Sequence, residues 1–312
     1  MQYRHTPVMV DEVLACLNCR PGSICVDCTV GGAGHAAAVI NKILPDGLLI
    51  GIDQDRGAIE AAAQKLRPYE ANIHLVRDNF VNLPEILAKI GIRAVDAILA
   101  DLGVSLYQLE SSGRGFSFRH EEPLDMRMNE DGPRRAADIV NEESARALKQ
   151  IFKNYGEERW AGPIADKIVA RRKKQRIATT GELVELVRAA VPGRVLGKRK
   201  IHPATKIFMA LRIAVNQELE ALDRFLAAAV ELLQPGGRIC IISFHSLEDR
   251  IVKHRFKSLE NPCTCPRDFP ECVCGNEPKL RVLTKKVKRP GAEEIQRNPL
   301  ARSACLRVAE KL

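Results

Sequence analysis

Acidic and hydroxyl side chains stand directly before a glycine cluster near the start of the chain. An apolar run at 24–26 leads to Asp27 and Thr29, and the glycine-rich turn 31–34 follows. Glycines at such a turn let the backbone approach a ligand closely. A carboxylate there would repel a pyrophosphate but attract the ammonium group of a methionine-type ligand. The stretch therefore favours S-adenosylmethionine, although 32–37 also fits the looser G-x-G-x-x-G/A pattern of dinucleotide-binding enzymes.

Three side chains at the ends of later apolar runs extend this pattern. Asp53 ends the run 48–52 about twenty residues past the glycines, where an acid typically accepts the ribose hydroxyls of an adenosine ligand. Phe80 follows the third run, and it could stack on adenine or pack in the core. Asp101 ends the fourth run. Its carboxylate could accept a hydrogen bond from an exocyclic amine and assist amine methylation, or it could cap a helix.

The runs that carry these residues alternate with helical patterns. Strands are predicted at 24–27, 48–53, 72–80, 95–101 and 238–244, with a closing pair near 280–287 and 304–308. Strands that alternate with helices predict a parallel sheet, and a ligand is expected at the carboxyl ends of its strands. The fold class predicted from this pattern is α/β with a Rossmann-like sheet.

The alternation stops in the middle of the chain. From about 112 to 213 only helical patterns are found, at 141–152, 157–174, 180–190 and 203–214. We therefore predict a discontinuous sheet domain, 1–112 with 214–312, and an inserted helical domain over 113–213.

Positive charge is concentrated in the predicted insertion. Between Lys167 and Arg212 thirteen Lys and Arg face only Glu182 and Glu185, a net +11, whereas the 312-residue chain carries +9. This concentration predicts a nucleic-acid surface, although charge runs are also common on solvated helix faces. The candidate RNA-binding residues form two runs: Arg171, Arg172, Lys173, Lys174 and Arg176, then Lys198, Arg199 and Lys200.

The ten cysteines bear on compartment and on metal binding. No apolar run has the length of a membrane span, and the first residues lack the apolar core of a signal peptide. Reduced thiols and a cytoplasmic location are therefore expected. Four cysteines form a C-x-C-x6-C-x-C pattern: Cys263, Cys265, Cys272 and Cys274. Because zinc ligands are usually spaced C-x2-C, we predict free thiols and no metal, and leave a zinc site as the alternative.

A set of longer motifs gives the chain a family resemblance. The motifs are His5-Thr-Pro-Val8, Asp27-Cys-Thr-Val-Gly-Gly-Ala-Gly-His35, Asp101-Leu-Gly-Val-Ser105, Arg114-Gly-Phe-Ser-Phe118, Pro123-Leu-Asp-Met-Arg-Met128, Tyr155-Gly-Glu-Glu-Arg159, His202-Pro-Ala-Thr205, Ile242-Ser-Phe-His-Ser-Leu-Glu-Asp-Arg-Ile-Val252 and Asn298-Pro-Leu-Ala-Arg-Ser303. In this order the chain resembles the RsmH (MraW) family, the small-subunit ribosomal RNA cytosine-N4 methyltransferases.

The resemblance implies an S-adenosylmethionine-dependent methyltransferase sheet with an inserted substrate-recognition domain. It implies S-adenosylmethionine as methyl donor and N4-methylcytidine in the decoding centre of 16S rRNA as product. The partner it implies is 16S rRNA, within the small ribosomal subunit, and a homodimer is left open. The cofactor positions of the family fall on Ala33, Gly34, His35, Asp53, Phe80, Asp101 and Gln108. Asp101 is the residue for which a catalytic role is expected.

Two other functions fit parts of the same pattern. A nicotinamide oxidoreductase would use the same sheet and glycine turn, and titration with the two cofactors separates it from a methyltransferase. A non-enzymatic ribosome-assembly protein would keep a relic pocket. It would bind the cofactor without methylating small subunits.

Overall fold

The computed structural model describes residues 7–196, 201–266, 271 and 273–312. Its strands are β1 (Ile24–Asp27), β2 (Leu48–Asp53), β3 (Ile73–Arg77), β4 (Val95–Asp101), β5 (Leu233–Ser243), β6 (Leu280–Val282) and β7 (Cys305–Lys311). Its helices are α1 (Val10–Leu17), α2 (Gly34–Ile43), α3 (Arg56–Leu66), α4 (Leu83–Lys89), α5 (Leu106–Glu110), α6 (Ala136–Glu142), α7 (Ala145–Asn154), α8 (Ala161–Arg172), α9 (Thr180–Ala190), α10 (Gly193–Leu196), α11 (Pro203–Asn216), α12 (Glu218–Glu231), α13 (Ser246–Glu260) and α14 (Ala292–Arg297). None of the helices in these ranges has the length and apolar character that a bilayer span requires.

All seven strands form one sheet in the order β3-β2-β1-β4-β5-β7-β6. From β3 to β5 in this order the strands are parallel to one another, and β7 lies antiparallel between β5 and β6. The chain reverses its direction of winding between β1 and β4, which is where such sheets bind ligands. The predicted Rossmann-like sheet and its closing pair of strands are confirmed.

Alternation along the central strands builds a core on each face of the sheet. On β1, Cys25 packs with α1, α2 and α3, whereas Val26 packs with α4, α12 and α13. On β4, Ala97 and Ile98 divide in the same way. Because successive side chains of a strand point to opposite faces, a continuous apolar run serves two helix layers. The short strands are therefore buried on both sides.

The described chain divides into two compact units. One contains the residues up to Gly103 together with Leu219–Leu312, and the other is Val104–Glu218. The divisions predicted from the sequence are at 112/113 and 213/214. The second unit has its own apolar core, in which Phe152, Ile164 and Leu183 are completely buried.

Two local expectations were wrong. The helix predicted over 141–152 is interrupted, because α6 ends at Glu142 and α7 starts at Ala145. Ser144 has extended backbone, and its hydroxyl accepts the Ala147 N–H, so it caps the second helix. The strand predicted to begin at 238 begins instead at Leu233, with an irregularity where the pairing moves from Leu233 opposite Val95 to Arg238 opposite Ala97.

Candidate active site

The turn after β1 begins the site. The Val30 N–H donates to the Ile52 carbonyl at 2.9 Å, which holds the turn against the end of β2. Ala33 adopts a left-handed conformation (φ 53°) and starts α2, with Gly34 and His35 as the first helical residues. A Cβ on Gly34 would lie 2.8 Å from the Pro7 side chain, so packing against Pro7 requires glycine. The three residues expected to bind the cofactor thus form one helix start.

Asp53 lies at the carboxyl end of β2 and contacts this turn. Its carboxylate accepts the Gly31 N–H at 3.0 Å and the Asp55 N–H at 2.9 Å. Burial raises the pKa of Asp53 to about 6; the hydrogen bonds from the backbone of Asp55 and Gly31 oppose this shift and the Asp55 charge adds to it. Each carboxylate oxygen has a second lone pair, so Asp53 can still accept the hydroxyls of a ribose.

Asp27 and Thr29 connect the end of β1 to the end of β4. Asp27 is 2% exposed and accepts the Thr29 N–H at 3.2 Å. Burial raises the pKa of Asp27 to about 7, opposed by the Thr29 hydrogen bond and reinforced by the Asp53 charge. The Thr29 hydroxyl accepts the Asp101 N–H at 2.7 Å, so it fixes the backbone that carries the candidate catalytic acid.

Asp101 has the most perturbed environment of these acids. Burial, followed by the Asp27 and Glu248 charges, raises its pKa well above the usual range. One oxygen, Oδ2, lies 3.7 Å from His35 Nδ1, and Nε2 of His35 donates to the Val8 carbonyl at 2.8 Å. The other oxygen, Oδ1, is buried without a hydrogen-bond partner in the described part of the protein. An ionised carboxylate in this position needs a donor or a positive charge from a ligand.

Sequence reasoning missed Glu248 as a part of this electrostatic environment. Glu248 is 2% exposed and follows β5 at the start of α13. Its carboxylate accepts the Phe244 N–H at 2.9 Å and forms a capping box with His245. The only sequence signal was an acid three residues after the cap at 245, but capping predicts a helix start and not proximity to Asp101.

Phe80 lies in a short 3-10 turn after β3, next to the end of β2. The side chain of Asn79, the residue before it, donates to the Gln54 side chain at 3.3 Å. The Phe80 ring is half-buried and meets Phe225 edge-on, with ring centroids 5.0 Å apart. Both expectations for Phe80 therefore remain, because one edge of the ring packs in the core while part of it is exposed.

Gln108 lies in the second unit, Val104–Glu218, near the start of α5. Its side-chain oxygen accepts the Ser105 N–H at 3.0 Å, and its own N–H donates to the Ser105 hydroxyl at 3.2 Å. This reciprocal pair is a capping box, which fixes the conformation of the side chain. A role of Gln108 in cofactor binding stays a prediction.

The first basic run lies at the end of α8 in the second unit and contains two kinds of side chain. Three arginines contact their own unit: Arg171 Nη2 lies 3.5 Å from Glu182 Oε1, Arg172 donates to the Val140 carbonyl, and Arg176 pairs with Asp138 at 2.9 Å. Lys173 and Lys174 are exposed. Both lysines are therefore accessible to a phosphate backbone. The second run, Lys198, Arg199 and Lys200, lies outside the described residues.

The structure thus brings three predicted strand-end acids of the first unit to one edge of its sheet. Raised pKa values for Asp27, Asp53 and Asp101 mean that further negative charge is unfavourable here. A pyrophosphate would add such charge, whereas a ligand with ammonium and sulfonium groups would compensate it. The residues present therefore fit S-adenosylmethionine better than a dinucleotide.

Known proteins were compared with the whole chain. It matches the MraW methylase family over residues 2–312. A ribosomal RNA small subunit methyltransferase H from Desulforapulum autotrophicum is 55% identical over 309 residues, 99% of each chain. The protein of the same name from Desulfosudis oleivorans is 51% identical over 312 residues, 100% of each chain.

A solved structure of an rRNA methylase from Streptococcus thermophilus aligns with 97% of this chain and 93% of its own. Its sequence identity to this chain is 12% and the TM-score is 0.40. The two full-length relatives are 55% and 51% identical to this chain. They confirm the resemblance read from the motifs: the chain belongs to the MraW methylase family.

Proposed function

We propose that this protein transfers the methyl group of S-adenosylmethionine to the exocyclic N4 amine of a cytidine in the decoding centre of 16S rRNA. Full-length membership of a methylase family supports methyl transfer, and relatives about half identical to this chain carry the name of a small-subunit ribosomal RNA methyltransferase. The structural observation that carries the proposal is the buried acidic edge formed by Asp27, Asp53 and Asp101, which suits a positively charged donor.

Residues of the first unit would hold the donor. The carboxylate of Asp53 would accept the ribose hydroxyls, and the turn of Ala33, Gly34 and His35 would contact the ligand through its backbone. Phe80 would lie against the adenine at the end of β3. When bound, S-adenosylmethionine supplies a methyl group that its sulfonium charge already makes electrophilic.

Asp101 would act on the acceptor nucleotide. The cytosine N4 lone pair is delocalised into the ring, so the amine must be held in line with the methyl group and its lone pair localised by hydrogen-bond acceptors. The carboxylate of Asp101 would accept one N4 hydrogen, with backbone carbonyls just after it as further candidate acceptors. Bound positive charge would favour the ionised form of this carboxyl, which burial otherwise disfavours.

The inserted domain, predicted at 113–213, would recognise the substrate. Its exposed Lys173 and Lys174 would contact phosphates, and the run Lys198, Arg199 and Lys200 would add further contacts. The partner would be rRNA within the small subunit, which places the reaction in the cytoplasm. A homodimer is also compatible with this function, and light scattering of the purified protein measures its mass.

Mass spectrometry of 16S rRNA nucleosides tests the function. Cells that lack the protein should lose N4-methylcytidine from the decoding-centre fragment, and the unmodified gene should restore it. The Asp101→Ala variant, produced at the same level, should not restore it. Unchanged N4-methylcytidine in the deletion strain would overturn the proposal, and stoichiometric binding of a nicotinamide cofactor by the purified protein would favour the oxidoreductase.

A further inference from the structure

The segment between α13 and β6 brings together three thiols that the proposed methyl transfer does not use. Cys263, Cys265 and Cys274 place their sulfur atoms within 4.8 Å of one another. A tetrahedral zinc site with Zn–S bonds of about 2.3 Å has its sulfur atoms about 3.8 Å apart. A small contraction of this cluster would therefore reach ligand geometry. We infer that Cys263, Cys265 and Cys274 form a binding site for a Zn²⁺ ion.

Hydrophobic packing does not explain why these thiols meet. Of the residues between 261 and 279 that the structure describes, none is buried and none is in a helix or strand. Val273, an apolar residue next to Cys274 in the chain, is 73% exposed. Long segments without secondary structure are uncommon in compact domains, and small regions without an apolar core are often held by a metal. Zinc would supply the missing stabilisation.

Backbone geometry around the cluster resembles the surroundings of metal thiolates. The Val273 N–H donates to Cys265 Sγ at 3.3 Å, a backbone hydrogen bond of the kind that fixes the orientation of a metal ligand. The Asn276 side chain donates to the Pro262 carbonyl at 3.2 Å, so the two arms of the loop that carry the cysteines are already cross-connected. At the base, the Lys279 N–H donates to the Leu259 carbonyl at 2.9 Å and closes the excursion.

The sulfur-only donor set identifies the class of metal. Thiolates are soft ligands that select zinc over magnesium or calcium, which prefer oxygen. The C-x-C spacing differs from the C-x2-C spacing of common zinc sites, and this difference led the sequence analysis to favour free thiols. The folded chain favours the zinc site instead, because it brings Cys274, nine residues after Cys265, beside Cys263 and Cys265. The sequence also offers Cys272, which lies outside the described residues.

Metal content of the tag-free, full-length protein tests the inference. Purified under reducing conditions without chelator, it should contain about one zinc per chain by inductively coupled plasma mass spectrometry. The triple variant Cys263→Ser/Cys265→Ser/Cys274→Ser should lose that metal. Cys19→Ser, which changes a half-buried cysteine of the same unit, should retain it. Equal zinc in the triple variant and the parent, or a metal-free parent that does not take up added zinc, would overturn the site.

Cobalt substitution and alkylation give readouts that do not depend on folding of a variant. Co²⁺ added to the metal-free parent should give thiolate-to-cobalt charge-transfer absorption and the intense visible bands of a tetrahedral site. Zinc should slow the alkylation of the three thiols, and a chelator should restore it without changing alkylation at Cys19. Cobalt spectra without charge transfer, or a disulfide between any two of the three cysteines in freshly purified protein, would exclude the proposed site.

Discussion

Two features of its surroundings disfavour the ionised form of Asp101 in the free protein. It is surrounded by charges of its own sign from Asp27 and Glu248, and its Oδ1 has no hydrogen-bond partner among the described residues. In Asp101→Asn the shape is kept while the charge is removed. We expect the kcat for methylation of small subunits to fall by on the order of 10²-fold or more, as for loss of a group that acts on the reacting amine.

Calorimetry with S-adenosylmethionine separates the two roles open to Asp101. If the carboxylate contacts the target amine, the affinity for the cofactor should fall by much less than kcat. Equal losses in affinity and in kcat would make Asp101 a cofactor ligand only. Thermal unfolding of the variant serves as the folding control.

Asp53 should matter for binding of the cofactor. Removing its carboxylate in Asp53→Ala should weaken S-adenosylmethionine binding by roughly 1 to 3 kcal/mol, as for removal of a hydrogen bond to a charged group. The variant also loses the hydrogen bonds from the Gly31 and Asp55 amides, so part of this change reflects a looser turn. Asp46→Ala, an exposed acid just before the same strand, is the matched control and should bind normally. Normal affinity in a folded Asp53→Ala protein would remove Asp53 from the site.

At the scale of elements, α8 carries the sharpest test of the RNA surface. Lys173 and Lys174 are exposed at its end, whereas Arg171 and Arg176 already have acidic neighbours. Neutralising both lysines should weaken rRNA binding. It should also reduce the slope of log affinity against log salt by about 0.7 for each phosphate that the protein no longer neutralises. Affinity for S-adenosylmethionine should not change, because the residues proposed to hold it belong to the first unit, whereas both lysines belong to the second.

Lys149→Ala/Lys153→Ala is the matched control for this experiment. Both lysines are exposed on α7 in the same unit but precede the basic window, so their removal changes the net charge equally. The salt slope of this control should stay close to that of the parent. If both pairs of substitutions act alike, the effect is one of overall charge, and the end of α8 has no special role.

Elements of this fold could be read from the sequence where the pattern is local. Alternating helices and apolar runs predicted the sheet because β1, β2 and β4 are buried on both faces. The break between α6 and α7 was missed because a helical apolar pattern continues through Ser144, whose cap becomes decisive only in the packed unit. The irregularity in β5 depends on pairing with β4, which no single segment shows.

Site residues divide in the same way. Asp53 and Asp101 could be predicted from the sequence, because an acid at the end of a strand has a recognisable position. Glu248 and the hydrogen bond from the Asp101 N–H to the Thr29 hydroxyl could not be predicted, since they depend on which strand ends become neighbours. The clustering of Cys274 with Cys263 is another tertiary fact of this kind.

For the whole molecule, the buried acids make the stability of the free protein depend on pH. Asp27 and Asp53 have pKa values of about 7 and about 6 in the fold, against about 3.9 for an unfolded aspartate. At pH values between the unfolded pKa and the native pKa of each group, the native state therefore binds more protons than the unfolded state. Stability from these groups is fully present below about pH 4 and is lost as pH rises through about 6 to 7. For Asp27 alone the loss is on the order of 4 kcal/mol.

Asp125 and His202 also have pKa values in the fold that differ from their ordinary values. Asp125 also experiences burial, but its contacts with Arg127 prevail and lower its pKa, so it stays ionised in both states above about pH 5. The pKa of His202 is lowered by burial and by Arg188, so its contribution to stability rises with pH and partly offsets the loss. The difference between the parent and Asp27→Asn removes the His202 contribution, because both proteins contain it.

Urea unfolding of the free protein between about pH 5 and about pH 8 should therefore show less loss of stability in Asp27→Asn than in the parent. The asparagine stays neutral throughout, so it avoids the cost of ionising a carboxyl that is 2% exposed. S-adenosylmethionine should stabilise the parent more at the higher pH, because its positive charges compensate the ionised acids. Parallel pH profiles for the parent and Asp27→Asn would mean that Asp27 does not titrate in this range, so that only Asp53 and Asp101 would favour a cationic donor electrostatically.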